Sequence, residues 1–367
     1  MRFVLAGLVL AAILAATVAA LGGDGSAPAP EQPSTPAAIE TAPRSPPVAV
    51  VWGADDIRAA ARRLARASWV ERSSALGRGT ALLKSRAGFA IPLDTLAVDP
   101  EGYTVVLAGP ERRAVARLRP GQALLSETAA RLRGMRSGQL RLAGGGRLHV
   151  AGVVPDAAAQ AAELVVNVDD PRVPTEPRNV IAVLRHRDVT ATAIARRAAG
   201  GARARLADDP RGRSGGGPAR PAELKARFGE PAVALPYGHD WVRLDPRFVR
   251  RHIVARRVPV LGTVTCHRGM LPALRAAMSD LRRRGLAHLV DPGDYAGCYA
   301  PRRIRPGGPL SLHAWGLAVD LNASRNPFGG RSGQDRRLVR TMKRHGFTWG
   351  GEWPTVRDPM HFEYRGR

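Results

Sequence analysis

Four polar residues near the C-terminus restrict this chain more than any other feature. His313 and Asp320 lie in Ser311-Leu312-His313-Ala314-Trp315-Gly316-Leu317-Ala318-Val319-Asp320. Asp358 and His361 lie in Asp358-Pro359-Met360-His361-Phe362-Glu363. Two His and one Asp form a ligand set that a catalytic zinc uses, with a further position left for water. Asp358, close to the last His, is placed to take a proton from that water. The chain must fold so that the two blocks meet.

Alternation gives the local frame. Leu317-Ala318-Val319-Asp320-Leu321-Asn322 reads as a strand with Leu317, Val319 and Leu321 on one face and Asp320 on the other. His313 falls on the loop or strand entry before Gly316. Pro359–Tyr364 reads as a final strand, with the proline at its start, Met360, Phe362 and Tyr364 on one face and His361 and Glu363 on the other. Leu271, Leu274, Met278 and Leu281 recur at helical spacing and stop at Gly285, so Met270 and Met278 belong to the core rather than to a metal. Val258–Val264 reads as a strand, and Leu338, Val339 and Met342 mark a helix ending near His345, which is read as structural.

The chain has 367 residues, room for two domains and linkers. Met1-Arg2 is a short positive start, and Phe3–Leu21 is almost wholly apolar. About 20 such residues can span a bilayer, while Val18-Ala19-Ala20 offers a cleavage point for a signal peptide. As signal anchor or as signal peptide, residues 1–21 are expected to export the rest of the chain. Residues 22–47 are rich in Pro, Ala, Ser and Thr and read as a tether. The formal charge is +25, and 53 of the 56 basic residues are Arg. An exported protein so basic is drawn to anionic wall polymers or phospholipid headgroups. Export and the absence of aromatics among the basic residues argue against nucleic acid as the partner. The two cysteines, Cys266 and Cys298, read as a disulfide in an oxidising compartment, worth roughly 3–4 kcal/mol by chain entropy. Zinc ligation by these two would call for CxxC-like spacing, which is absent.

Residues 48–199 read as an α+β domain. Strands are expected at Val48–Trp52, Glu163–Val168 and Asn179–Leu184, and helices at Ile57–Ala67 and Thr190–Ala199. A short helical stretch opens at Leu124, and a hairpin turns at Gly144-Gly145-Gly146. No cluster of His, Cys or carboxylates there suggests chemistry. Leu124–Pro155 resembles extracytoplasmic domains of FtsX/MacB-type permeases, which implies a binding or partner-contacting module. Residues 200–221 turn to Gly, Arg, Asp and Pro and read as a second linker, followed by a C-terminal domain at 222–367.

The frame Ser-x-His-x-x-Gly-x-Ala-x-Asp, then Trp-Gly-Gly, then Asp-x-x-His-Phe resembles the VanY/VanX-type D-alanyl-D-alanine carboxypeptidases and related peptidoglycan endopeptidases, a zinc metallopeptidase group. The resemblance covers about Pro259–Tyr364. It implies zinc on His313, Asp320 and His361, Asp358 as general base, and an upstream Arg on substrate, here Arg302 with Arg303 as alternative. Ser311 is expected to order the first ligand loop or touch substrate, Trp315 and the Trp349-Gly350-Gly351-Glu352-Trp353 stretch to wall the substrate cleft or lie in the core, and Glu352 is the rival base. The fold expected is α+β: a zinc peptidase domain with a small antiparallel sheet flanked by helices, preceded by a separate α+β domain and the hydrophobic N-terminal segment. The function implied is D-Ala-D-Ala carboxypeptidase acting on peptidoglycan stem peptides outside the cytoplasm, membrane-anchored or secreted at the bacterial wall. A peptidoglycan endopeptidase and a non-catalytic wall-binding module with a structural zinc are the alternatives.

Overall fold

The sequence from Val48 alternates residues between two apolar faces, and a sheet covered on both sides results. The structure, a computed structural model, describes residues 47–86, 88–107, 109–207, 221–237, 240–304, 308–353 and 356–366. The expected export segment at 1–21 and the tether at 22–46 lie outside the described residues. Among the described residues no helix is long and apolar enough to cross a membrane.

The first part contains β1 (Val48–Trp52), α1 (Ile57–Ala65), β2 (Val70–Lys84), β3 (Phe89–Val98), α2 (Pro100–Tyr103), α3 (Gly109–Ala116), β4 (Gln122–Ser126), α4 (Glu127–Arg133), β5 (Gly138–Arg141), β6 (Arg147–Val154), β7 (Leu164–Asn167), β8 (Thr175–Leu184), α5 (Ala191–Ala198) and β9 (Arg203–Ala207). The strands lie in the order β5-β6-β4-β7-β3-β2-β8-β1-β9. Two pairings, β3 with β7 and β4 with β6, are parallel, and the others are antiparallel. Leu96 and Val98 pack on one face with Tyr103 and Val115 of α2 and α3. Leu93 and Ala97 pack on the other with Ala129 and Ala130 of α4. Side-chain caps begin the helices: Asp56 accepts from Ala59, Ser126 from Ala129 and Thr190 from Ala193.

The second part contains α6 (Pro221–Phe228), β10 (Val233–Ala234), α7 (Pro246–His252), β11 (Ile253–Val258), β12 (Gly262–His267), α8 (Leu271–Arg283), β13 (Tyr295–Gly297), α9 (Leu312–Trp315), β14 (Ala318–Leu321), α10 (Arg336–Arg344), β15 (Phe347–Trp349) and β16 (His361–Tyr364). β11 and β12 form a hairpin, and β13-β14-β16-β15 form a small antiparallel sheet. Leu274, Met278 and Leu281 of α8 meet Leu338 and Met342 of α10 in the same core as Val319 and Phe362, so the helices brace the sheet from behind. Both Met270 and Met278 are fully buried in that core. The overall class is a mixed α/β chain with a small antiparallel sheet near its C-terminus.

Three local expectations are corrected. Val258–Val264 is not one strand but the tip of the β11–β12 hairpin, where Val260 takes φ 68°. The stretch from Leu124 is the end of β4, and the helix begins only at Glu127. Arg203–Ala207, expected in a linker, pairs with β1 as an edge strand. The long strands β2 and β3 carry too little alternation to be read in advance. Gly79 is needed in β2 because a Cβ there would lie 2.4 Å from the Pro174 carbonyl.

The segment after the second linker reaches back to the first sheet. Val233 of β10 pairs with Ala90 of β3. Lys225 of α6 is buried and its ammonium donates to the Pro92 carbonyl (2.5 Å) and to Glu163 (2.6 Å). Arg133 of α4 joins the same cluster, 3.2 Å from Glu163 and 2.7 Å from Glu230.

Candidate metal centre

A one-turn helix and a two-strand pairing build the centre. Ser311 begins α9 by accepting a hydrogen bond from the His313 N–H (3.3 Å). Gly316 ends it in the left-handed region at φ 65°, and a Cβ there would lie 2.6 Å from the backbone nitrogen of His267. No other residue suits that position. The reversal leads directly into β14, where Val319 and Leu321 enter the core and Asp320 faces the other way. Asp320 and His361 are directly opposed across β14 and β16. The ladder therefore brings together residues far apart in sequence.

The three side chains converge. His313 Nε2 lies 3.1 Å from Asp320 Oδ2 and 3.1 Å from His361 Nδ1. His361 Nδ1 lies 2.9 Å from Asp320 Oδ1. All three residues are buried, and their ligand atoms lie within 4.8 Å of one another. Each His is oriented from behind. His313 Nδ1 donates to the Cys298 carbonyl (2.8 Å), which leaves Nε2 as the atom facing the cluster. His361 Nε2 lies 3.3 Å from Glu363 Oε1, and Glu363 is held in turn by Arg365 (2.9 Å). Such backing partners are typical of metal-binding histidines.

The charges agree with a cation site. Burial alone would raise the carboxyl of Asp320, yet hydrogen bonds from His313 and His361 hold it well below the usual range. Burial would likewise lower His361, but Asp320 and Glu363 lift it to about 9. A buried carboxylate and two imidazoles facing one point require a proton or a cation between them, and the donor set suits a divalent metal.

Asp358 stands beside this cluster. Its backbone is fixed by the bond from its N–H to Gly350 (3.0 Å) and by its carbonyl, which accepts from His361 (3.1 Å). Gly350 permits the approach, since a Cβ would lie 2.5 Å from the Asp358 carbonyl oxygen. Oδ1 of Asp358 is buried and, among the described residues, has no hydrogen-bond partner. Burial raises its pKa, and His361, Asp320, His313 and Arg302 are all near enough to act on it. Glu352, the rival, is exposed and ion-paired to Lys343 (2.8 Å), so it faces away.

The two arginines separate. Arg303 is buried, with Nε donating to Gly308 (3.0 Å), Nη1 to Tyr237 (3.3 Å), and its guanidinium 4.2 Å above the Tyr237 ring. Arg302 is half-buried, its backbone carbonyl accepts from Ser311 (3.0 Å), and its charge acts on Asp358. Trp315 takes the core position of its two expected placements: it is buried and its indole N–H donates to Gly229 (3.3 Å). Ser311, also buried, orders the ligand loop through its bond from the His313 N–H. Trp353 has its ring 5.3 Å from that of His361. Cys266 and Cys298 form a disulfide, and His345 lies 3.4 Å from Asp280.

Two neighbours were not singled out in the sequence. Glu363 had a signal, since alternation puts it on the face of His361. Tyr295 had none. Its hydroxyl is buried without a partner among the described residues, and burial and the charge of Asp320 both raise its pKa.

A buried His–Asp–His cluster with a carboxylate beside it could hold a divalent metal ion. Residues 305–364 match the family model described as D-alanyl-D-alanine carboxypeptidase, the family that the motif frame resembles. Among solved structures, the chain is similar to the periplasmic region of MacB from Actinobacillus actinomycetemcomitans, at 9% identity over 43% of this chain and 87% of that one, TM-score 0.32. It is also similar to the extracellular domain of the noncanonic ABC-type transporter YknZ from Gram-positive bacteria, at 10% identity over 43% of this chain and 99% of that one, TM-score 0.31.

Proposed function

We propose that this chain is a zinc peptidase that removes the terminal D-alanine from peptidoglycan stem peptides, outside the cytoplasm. The observation that carries the reading is the convergence of His313, Asp320 and His361 beside a buried, unpartnered Asp358 oxygen. The disulfide supports an oxidising compartment. His313, Asp320 and His361 would hold the zinc, which when bound polarises a scissile carbonyl and lowers the pKa of water.

The remaining chemistry belongs to the chain. Asp358 Oδ1 accepts the proton of the attacking water and returns it to the leaving amine, so a tetrahedral centre can form and collapse without a free hydroxide. The raised pKa of Asp358 suits both halves of that task. Arg302 offers a planar pair of N–H donors to the terminal carboxylate of the stem peptide and keeps the scissile bond in register. Its charge also favours the carboxylate form of Asp358. Trp353 covers one side of His361 and keeps bulk water from that edge.

The test is hydrolysis of a synthetic stem pentapeptide ending in D-Ala-D-Ala by the whole chain, followed by mass spectrometry, with and without added zinc and beside Asp358→Ala. Zinc-dependent loss of one D-Ala that disappears in the variant supports the reading. An internal cut with the same dependence makes the protein an endopeptidase. Bound zinc with no cleavage of the peptide or of intact peptidoglycan leaves a non-catalytic wall module.

A further inference from the structure

Two grooves near α7 combine arginines with an apolar floor. The first, about 480 Å³, is lined by Val254, Arg256, Arg268, Leu271, Pro272 and Arg275. Its arginines come from β11, from the residue after β12, and from the first turns of α8. In the β11–β12 register Val254 faces Cys266 and Arg256 faces Val264, and both partners are buried. Cross-strand partners share a face. Arg256 is therefore an exposed charge on the same face of the hairpin as Val264. Arg275 is ordered against the hairpin by a bond to the Arg257 carbonyl (3.2 Å). No carboxylate lines the groove, and among the described residues none of the three arginines has an ion-pair partner. Like charges gathered in this way repel one another unless an anion joins them.

The second groove, about 390 Å³, lies against α7, the helix that runs directly into β11. Arg243 and Arg250 line it over Val242, Leu244, Pro246 and Val249, and Tyr299 and Pro301 close it. It too has no carboxylate in its lining. Pro301, at its edge, is the residue before Arg302 in the chain.

We propose that these grooves are a binding track for a phosphodiester-linked wall polymer. Guanidinium forks match phosphate oxygens, and the apolar floors receive the carbon units between phosphates. Two grooves on adjoining elements suit a ligand with repeated charges better than a single ion. A nucleic acid also repeats phosphates, but its bases call for stacking platforms, and Tyr299 is the one aromatic side chain in either lining. Binding does not depend on the peptidase reading.

The experiment titrates the whole chain with fluorescently labelled poly(glycerol phosphate) and follows anisotropy across a salt series. The groove variant is Arg256→Gln/Arg268→Gln/Arg275→Gln. The control, Arg282→Gln/Arg336→Gln/Arg340→Gln, removes the same charge from exposed positions on α8 and α10. Circular dichroism checks that each is folded. The groove variant is expected to bind roughly 30-fold more weakly and to flatten the salt dependence by about two units, while the control changes little. Arg243→Gln/Arg250→Gln, in the second groove, should weaken binding on its own and serves if the triple variant does not fold. Equal losses in groove and control variants would overturn the proposal, because attraction would then follow net charge alone. Tighter binding of duplex DNA, with the same dependence on Arg256, Arg268 and Arg275, would overturn the wall polymer as the occupant.

Discussion

At the scale of single residues, the candidate centre depends on what each side chain has left to offer. Arg303 spends its donors on Gly308 and Tyr237, and Glu352 spends its charge on Lys343, whereas Asp358 keeps a buried oxygen without a partner. Asp358→Asn should therefore lower kcat by roughly 10²–10⁴-fold while leaving the fold intact, as read by steady-state kinetics beside circular dichroism. The pH profile has a definite sign. The base works when deprotonated, and burial raises its pKa above the ordinary 3.8. Activity should fall as pH drops through the pKa of Asp358, giving kcat/KM an acid limb. An acid limb that persists unchanged in the residual activity of Asp358→Asn would assign the base elsewhere. His313, Asp320, His361 and Asp358 were legible because their types and short spacings carry the chemistry. Tyr295 was not, since one phenol's proximity to Asp320 arises from chain reversals that spacing does not encode.

At the scale of elements, the disulfide reaches the metal site through a carbonyl. Cys298, fixed to Cys266 at the end of β12, supplies the oxygen that orients His313. Reduction should lower stability by about 3–4 kcal/mol on the chain-entropy model. It should also weaken zinc binding in the reduced, still folded chain, measured by competition with a chromogenic chelator. Unchanged affinity would remove the carbonyl from the account. The neighbouring residue, His267, is buried, accepts from the Gly269 N–H and bonds the Phe228 carbonyl through its other nitrogen. Burial outweighs that carbonyl and takes its pKa to about 4 from the ordinary 6.5. As pH falls from 6.5 toward 4, the unfolded chain binds this proton first, so stability should decline across that window. Urea midpoints should show the decline, and His267→Gln should flatten it. Amphipathic α8 and the strand around Asp320 were readable from period alone. The β11–β12 hairpin was not, although Pro259 and Gly262 bracket its turn at Val260, because Val258, Val260, Leu261 and Val264 around them also suit a single strand.

At the scale of the whole molecule, a buried charge cluster ties the first sheet to the C-terminal part of the chain. Glu163 and Lys225 are each nearly shut off from solvent, and Arg133 and Glu230 complete the set. Removing one member strands another charge, so Lys225→Met should cost about 3–5 kcal/mol in urea unfolding. Glu163→Gln/Lys225→Met should recover part of that loss, and a double variant as unstable as the sum of the singles would mean the pair is not coupled. None of this was visible in the sequence, where the Gly- and Arg-rich stretch before residue 221 marks a boundary by composition. Composition reports where a chain lacks core-forming side chains. It says nothing of which sheet a later lysine will enter. The β10 pairing carries a practical consequence for anyone dissecting the protein. A fragment cut at residue 222 would take Lys225 and Val233 into water without their seats, so the portable unit starts at the first sheet, and transplanting the centre means carrying that sheet with it.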